Sequence, residues 1–139
     1  MESAAAIALA WFTLSSPAVP NGGTIPARYT CDGKGVSPPL RWTAPPAGTH
    51  SLSHLVADPD VPIGLFVHWR VSGIPPRAGA VNQGHRFRHE AANGFGRRGW
   101  VAPCPPRGRS HRYLFVLTAL DAHGQAIASA GLITHYGRP

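Results

Sequence analysis

The sequence predicts a mostly β domain with long, ordered loops, and three observations carry that reading. Its 139 residues include 16 glycines and 15 prolines, which leaves little room for long helices. The apolar residues fall into short runs bounded by Pro, Gly, Asn and Asp rather than into helical repeats. A chain of this length also buries about two-thirds of the surface its unfolded form exposes, so it needs no disulfide or metal to complete a core.

The elements follow in order. Phe12 to Ser16 reads as a short first strand, and Pro20-Asn21-Gly22-Gly23 as a turn whose glycines are free to take positive φ. Thr24 to Leu40 is an ordered loop rather than a linker, because Ile25, Tyr29, Val36 and Leu40 need burial. Pro38 to Trp42 returns to an extended form, and Pro45-Pro46-Ala47-Gly48 turns again. Ser51 to Ala57 is a strand that delivers Asp58. Phe66 to Val71 is the next, with Phe66, His68 and Arg70 on one face and Val67, Trp69 and Val71 on the other. Trp69 is therefore read as core. Ile74-Pro75-Pro76 ends that strand. Arg77 to Gly99 is neither strand-like nor helix-like and reads as a long excursion of the kind that rims a binding site. Tyr113 to Leu120 is the most hydrophobic run, a central strand buried on both faces. Asp121 to Gly124 turns, and Gln125 to Tyr136 closes the chain. The whole is read as one domain over residues 1–139, with residues 1–11 an N-terminal extension open to disorder.

The formal net charge is +7, from 13 Lys+Arg against 6 Asp+Glu, and every basic residue but Lys34 is arginine. That balance favours anionic partners, although scattered arginines also arise from composition without any partner. Arg97, Arg98, Arg107, Arg109 and Arg112 are the local concentration. No stretch is long and apolar enough to span a membrane, and the first residues lack the basic region of a secretory signal. The cytoplasm is the expected location, or the periplasm if the start site is misassigned. No CxxC and no paired Cys/His spacing marks a metal site, and no cofactor is expected.

Two clusters carry chemistry. Asp58-Pro59-Asp60-Val61-Pro62 leads into Phe66-Val67-His68-Trp69, so one hairpin-like connection holds two carboxylates near an imidazole. Pro103-Cys104-Pro105-Pro106-Arg107-Gly108 precedes His111-Arg112-Tyr113. Taken singly, Asp58 and Asp60 are turn caps and His68 a hydrogen-bonded core histidine. Their coincidence with the second cluster points to a site. Imidazoles, protonated or in the right tautomer, and a phenol are hydrogen-bond donors. A nearby carboxylate would orient a histidine or meet a ligand ammonium. Asp60 is read as a cap or as the ion-pair partner of Arg112, and His54 shares strand parity with Asp58 and could project nearby. His85 and His89 have metal-compatible spacing only in a helix, which Gly84 argues against.

With Leu14-Ser15-Ser16-Pro17, Ile25-Pro26-Ala27-Arg28-Tyr29-Thr30-Cys31-Asp32-Gly33, Val36-Ser37-Pro38-Pro39-Leu40 and Asn93-Gly94-Phe95-Gly96, these clusters make the sequence resemble the phosphatidylethanolamine-binding protein family, in its bacterial, Raf-kinase-inhibitor-like branch. The resemblance implies an antiparallel β-sandwich with an anion pocket at one end. It places Asp58, His68, Pro105, His111 and Tyr113 in that pocket, with Asp60, Phe66, Pro103, Pro106 and Arg112 near it. Cys31 and Cys104 fall in motifs where this branch carries cysteine, so they are expected to approach each other, as thiols in a reducing cytoplasm. The chain departs from the family after Leu120-Asp121, where members place one or two helices. Here the C-terminal helical element is shortened or absent, which leaves either a more open pocket or a sheet face for a partner chain, such as a second copy.

The function that follows is binding of phosphorylated or zwitterionic groups such as phosphoethanolamine, in a kinase-inhibitor-like regulator whose partner is a kinase or another protein. An acid/base hydrolase or a protease inhibitor using the same pocket is the alternative. Against hydrolysis, no serine or thiol is coupled to a base, so no catalytic residue is assigned. A nucleic-acid binder is a weaker alternative, because no basic stripe with interleaved aromatics is present.

Overall fold

The computed structural model describes residues 11–139. The N-terminal extension therefore lies outside the described residues, apart from Trp11. The rest is mainly antiparallel β in two sheets, and the only helical element among the described residues is a single 3-10 turn at Ala27–Tyr29. Strands β1 (Leu14–Ser15), β2 (Leu40–Trp42) and β5 (Gly79–Val81) form a small sheet in the order β1-β2-β5. Strands β3 (Ser51–Asp58), β4 (Phe66–Ile74), β6 (Ser110–Leu120) and β7 (Ala126–Gly137) form a larger one in the order β4-β3-β6-β7.

Period-2 patterning explains the packing. On β6, His111, Tyr113, Phe115, Leu117 and Ala119 are buried, while the residues between them are half-buried or exposed. The inward side chains of the large sheet, among them Leu52, Val56, Trp69, Phe115 and Leu132, meet Leu14, Leu40 and Trp42 of the small one in a single core cluster. Strand β6 is central as expected, but its outward face is only half-covered, because Asp121 to Gln125 turns straight into β7 and no helix returns over the sheet. The excursion also hides a strand. Gly79–Val81 pairs with β2, and only Val81 of its three residues favours a strand, too little to reveal it.

The rest of the excursion seals the outer edge of β4. Ser72 N–H donates to His89, Ala91 to Arg70, Gly94 to Val67 and Val101 to His68, each to a backbone carbonyl at 2.8–3.0 Å. Glu90 is drawn under this flap and buried. Its carboxylate accepts Trp69 Nε1–H at 2.8 Å and Arg86 Nε–H at 2.7 Å, so the buried charge is paired. Residues 85–89 are irregular and not helical.

Cys31 and Cys104 are joined in a disulfide, with Cα atoms 5.3 Å apart. The two approach each other as expected, and the bond stands where a reducing cytoplasm would leave thiols. Cys31 N–H donates to the Pro103 carbonyl at 3.1 Å, which brings the two segments to bonding range. The bond closes a loop with a sequence separation of 73 residues. The chain-entropy argument gives such a closure about 4 kcal/mol of stability. Replacing both cysteines by serine should therefore lower the urea midpoint, with the m-value rising as the denatured state expands. An unchanged midpoint would show that the bond adds nothing.

His54 does not project toward any site. It lies four residues up β3 from Asp58, roughly 13 Å along a strand, enclosed by Trp69, Phe87 and Phe115. Its Nδ1–H donates to the Val116 carbonyl at 3.2 Å, and its Nε2 has no partner. Burial holds its pKa down to about 4, against 6.5 in an exposed ring. The folded state thus favours neutral His54, and that preference is complete above pH 6.5 and lost as pH falls toward 4. It amounts to about 3 kcal/mol. His54→Leu should flatten the fall in unfolding free energy between pH 6.5 and 4; an unaltered slope would assign the acid sensitivity to other groups.

Candidate functional site

At the end of the large sheet where β3 runs out and β4 begins, a cavity of about 220 Å³ is lined by Asp58, Phe66, His68, Pro105, Pro106, His111 and Tyr113. These are seven of the ten residues singled out from the sequence. Asp60, Pro103 and Arg112 do not line it. Val61, Pro62, Phe95, Ala102 and Cys104 also line it and were not singled out. Phe95 was legible through its place in the Asn93-Gly94-Phe95-Gly96 motif. The other four carry no polar group that chemistry would flag.

The position of His68 rests on a bulge. The β3–β4 ladder pairs Val56 with Trp69 but Ala57 with Val67, so His68 is one residue more than β3 can match. The extra residue breaks the alternation expected along β4. His68 and Trp69 are both buried, where a regular strand would send them to opposite faces. His68 thereby meets Tyr113 edge to face at 5.2 Å. Its ring is then fixed by Val101, whose N–H donates to the His68 carbonyl at 2.9 Å and whose carbonyl accepts His68 Nδ1–H at 2.7 Å.

That second bond sets the tautomer. A carbonyl only accepts, so the proton sits on Nδ1 and the pocket receives Nε2. Burial is the main cause of a pKa lowered below the usual 6.5. At neutral pH, His68 therefore offers a lone pair and not the N–H expected from sequence, because its donor is spent on the backbone.

Asp58 is buried and fully engaged. Its Oδ1 accepts the Asp60 N–H at 2.8 Å, closing the Asp58-Pro59-Asp60 turn, and its Oδ2 accepts His111 Nδ1–H at 2.6 Å. His111 consequently turns Nε2 to the pocket. Asp60 is the ion-pair partner of Arg112. It accepts the Arg112 backbone N–H at 2.7 Å, Nε–H at 3.0 Å and Nη2–H at 2.8 Å, and these bonds hold its carboxyl at about 2. Both residues act from behind the site, tying the β3–β4 turn to β6 as His111 takes its place. Burial, and then the charges of Asp58 and Asp60, push the Tyr113 hydroxyl well above its usual 10, so it remains a neutral donor. Pro103 is buried beside the disulfide, and its carbonyl is taken by Cys31. The walls are otherwise apolar, with Phe66 and Phe95 edge to face at 5.0 Å. A small polar base inside an apolar cup suits one charged head group and little more.

The family profile described as Phosphatidylethanolamine-binding protein matches residues 15–134. LppC of Mycobacterium tuberculosis is 43% identical over 108 residues, covering 76% of this chain and 53% of that protein. A UPF0098 protein of Aquifex aeolicus is 43% identical over 115 residues, covering 73% of this chain and 63% of its own. The chain thus spans between about half and two-thirds of the length of these curated relatives. Among solved structures, CT736 of Chlamydia trachomatis superposes with a TM-score of 0.85 at 33% identity, covering 92% of this chain and 98% of that one. YbcL of Escherichia coli, described as a member of the mammalian PEBP family, gives 0.84 at 26% identity, covering 94% and 100%.

The tautomer can be checked directly. Long-range ¹⁵N–¹H spectra should show His68 protonated on Nδ1 alone at pH 7, taking up its second proton only below the usual 6.5. A proton on Nε2 at pH 7 would overturn the assignment.

Proposed function

The chain belongs to the phosphatidylethanolamine-binding protein family, and on that premise we propose that the Asp58–His68–His111–Tyr113 pocket binds a single phosphorylated or zwitterionic head group, as a regulator and not as an enzyme. The observation that carries the reading is the buried Asp58–His111 pair at 2.6 Å on the floor of a 220 Å³ cavity. In a protonated His111 ring, Nε2 is a donor to an anion, and the carboxylate behind it offsets the charge. Tyr113 adds a neutral hydroxyl donor. The His68 lone pair is the complementary acceptor, suited to a ligand ammonium. Donors and an acceptor in one small pocket favour a zwitterion such as phosphoethanolamine over a plain dianion.

Binding is favoured over hydrolysis because the lining contains no serine or threonine, and the one cysteine in it, Cys104, is held in the disulfide. A kinase-inhibitor-like role would need a surface that a protein partner can read. Ile63 and Leu65, 91% and 53% exposed on the turn that forms the rim, and Phe95, 69% exposed, supply apolar contact points there. The Cys31–Cys104 bond favours an oxidising compartment over the cytoplasm expected from sequence.

Titration with phosphoethanolamine, followed at the imidazole resonances of His68 and His111, should give saturable shifts at both that disappear in His68→Ala. Silence at both rings would sink the proposal, and turnover of a phosphoester lost in the same variant would favour hydrolysis. The pH dependence gives a second test. Protonation turns His68 from acceptor to donor, so the affinity for sulfate, whose charge is constant over this range, should rise as pH falls below 6.5, and rise more in the wild type than in His68→Ala. The same dependence on pH in both, with the His68 ring seen to protonate in the wild type, would remove His68 from the anion's contacts.

A further inference from the structure

Strand β4 carries a second bulge at its other end. Leu52 pairs with Ile74 and His54 with Val71, so β4 again holds one residue more than β3, and Gly73 takes a φ of +64° there. Beyond it the chain turns at Pro75-Pro76 and enters β5 of the small sheet. The sheets part at this point, and between them lies an open cleft of about 490 Å³, within the size range of small-molecule sites. Gly73, in its lining, lies five residues along β4 from His68, roughly 17 Å at the strand's rise per residue.

The cleft combines aromatic and cationic surface. Trp42 and Phe87 line it, as do Arg77, Arg86 and Arg88. Gly79 packs closely against the Trp42 ring, since a Cβ there would come within 2.6 Å of it, and the ring reaches the cleft with only 9% of Trp42 exposed. The Trp42 indole is held in place by its Nε1–H, which donates to the Arg77 carbonyl at 3.0 Å.

Of these three charges, Arg86 is paired and two have no counterpart among the described residues. The other side-chain carboxylates of the described residues are engaged elsewhere: Asp32 with Tyr136 and Arg138, Asp58 with His111, Asp60 with Arg112, and Asp121 within its own turn. Glu90 pairs with Arg86 and Trp69, and its side chain is only 2% exposed. Arg77 and Arg88 form no side-chain hydrogen bond or ion pair with any described residue. Unpaired guanidinium groups lining one concavity raise its positive potential, and an anion between them relieves it.

We propose that this cleft is a second binding site, which takes a small amphipathic organic anion. An apolar, preferably aromatic body lies against Trp42 and Phe87, and a phosphate, sulfonate or carboxylate is held by Arg77 and Arg88. The arrangement calls for both parts. Guanidinium groups stack on flat apolar bodies as well as bonding anions.

The test is a fluorescence titration of the full chain with 8-anilinonaphthalene-1-sulfonate, an aromatic sulfonate. One saturable site is expected, with amide shifts at Gly73, Gly79 and Phe87 in parallel NMR spectra. R77Q/R88Q, two exposed positions outside the core, should weaken binding at least tenfold, and saturating phosphoethanolamine should leave it unchanged. The uncharged analogue N-phenyl-1-naphthylamine should bind at least tenfold more weakly than the sulfonate. Equal affinity in the double variant, displacement by phosphoethanolamine, equal affinity for the uncharged analogue or the lack of a saturable site would each overturn the proposal.

Discussion

Strand β3 is paired on both sides, and its two ladders count differently. Against β6 it runs in step from Ser51 opposite Leu120 to Ala57 opposite Leu114. Against β4 it slips twice, each time leaving β4 with a residue that β3 cannot match. The β3–β6 ladder carries the core residues Leu52, Val56, Phe115 and Leu117, so it cannot give way. The mismatch falls on β4, which bulges at His68 and near Gly73. Both concave sites described above lie at those bulges. The excursion from Arg77 to Val101 makes this tolerable, because its backbone bonds the outer edge of β4 along its length and stabilises the irregular strand.

The one carboxylate that lines the pocket is already satisfied by the protein. Asp58 sits in a low-dielectric environment, where an unpaired carboxylate would be costly. It is stabilised by the Asp60 N–H on one oxygen and the His111 ring on the other. The same turn places Asp60 to accept three bonds from Arg112. One five-residue segment therefore positions a histidine from β6 and locks the backbone of the next residue. The prolines on either side fix φ, so few conformations of this turn compete with the bonded one.

The fold class, the order of the long strands, the absence of a helix between β6 and β7, and the grouping of Asp58, His68, His111 and Tyr113 were legible in the sequence. The strands rest on local signals, alternation and proline-marked ends, whereas the grouping of the four residues and the missing helix rest on the resemblance of ordered motifs to a known family and the departure from it. What stayed hidden depends on register or on neighbours distant in sequence. Alternation places His68 opposite Trp69, and only the β3–β4 mismatch shows that both turn inward. The His68 tautomer is set by Val101, 33 residues away. Strand β5, built of Gly79, Ala80 and Val81, exists because β2 is there to pair with it. Val61, Pro62 and Ala102 line the cavity as apolar walls, and nothing in their side chains announces a site. The cysteine pairing was foreseeable as an approach, whereas its oxidation state depends on a compartment that two cysteines do not settle.

The bulge at His68 is a matter of counting, since it exists because one more residue lies between Val67 and Trp69 on β4 than between Ala57 and Val56 on β3. Substitution of Val67 preserves that count, and so preserves the inward turn of His68. Deleting a single residue between Phe66 and Trp69 would let the two strands run in regular register and rotate the imidazole out of the pocket, with every other site residue intact. The architecture is thus far more sensitive to insertions and deletions in this short segment than to changes of side chain. Among relatives, the length of the segment, more than the presence of a histidine, is the mark by which the same pocket should be recognised.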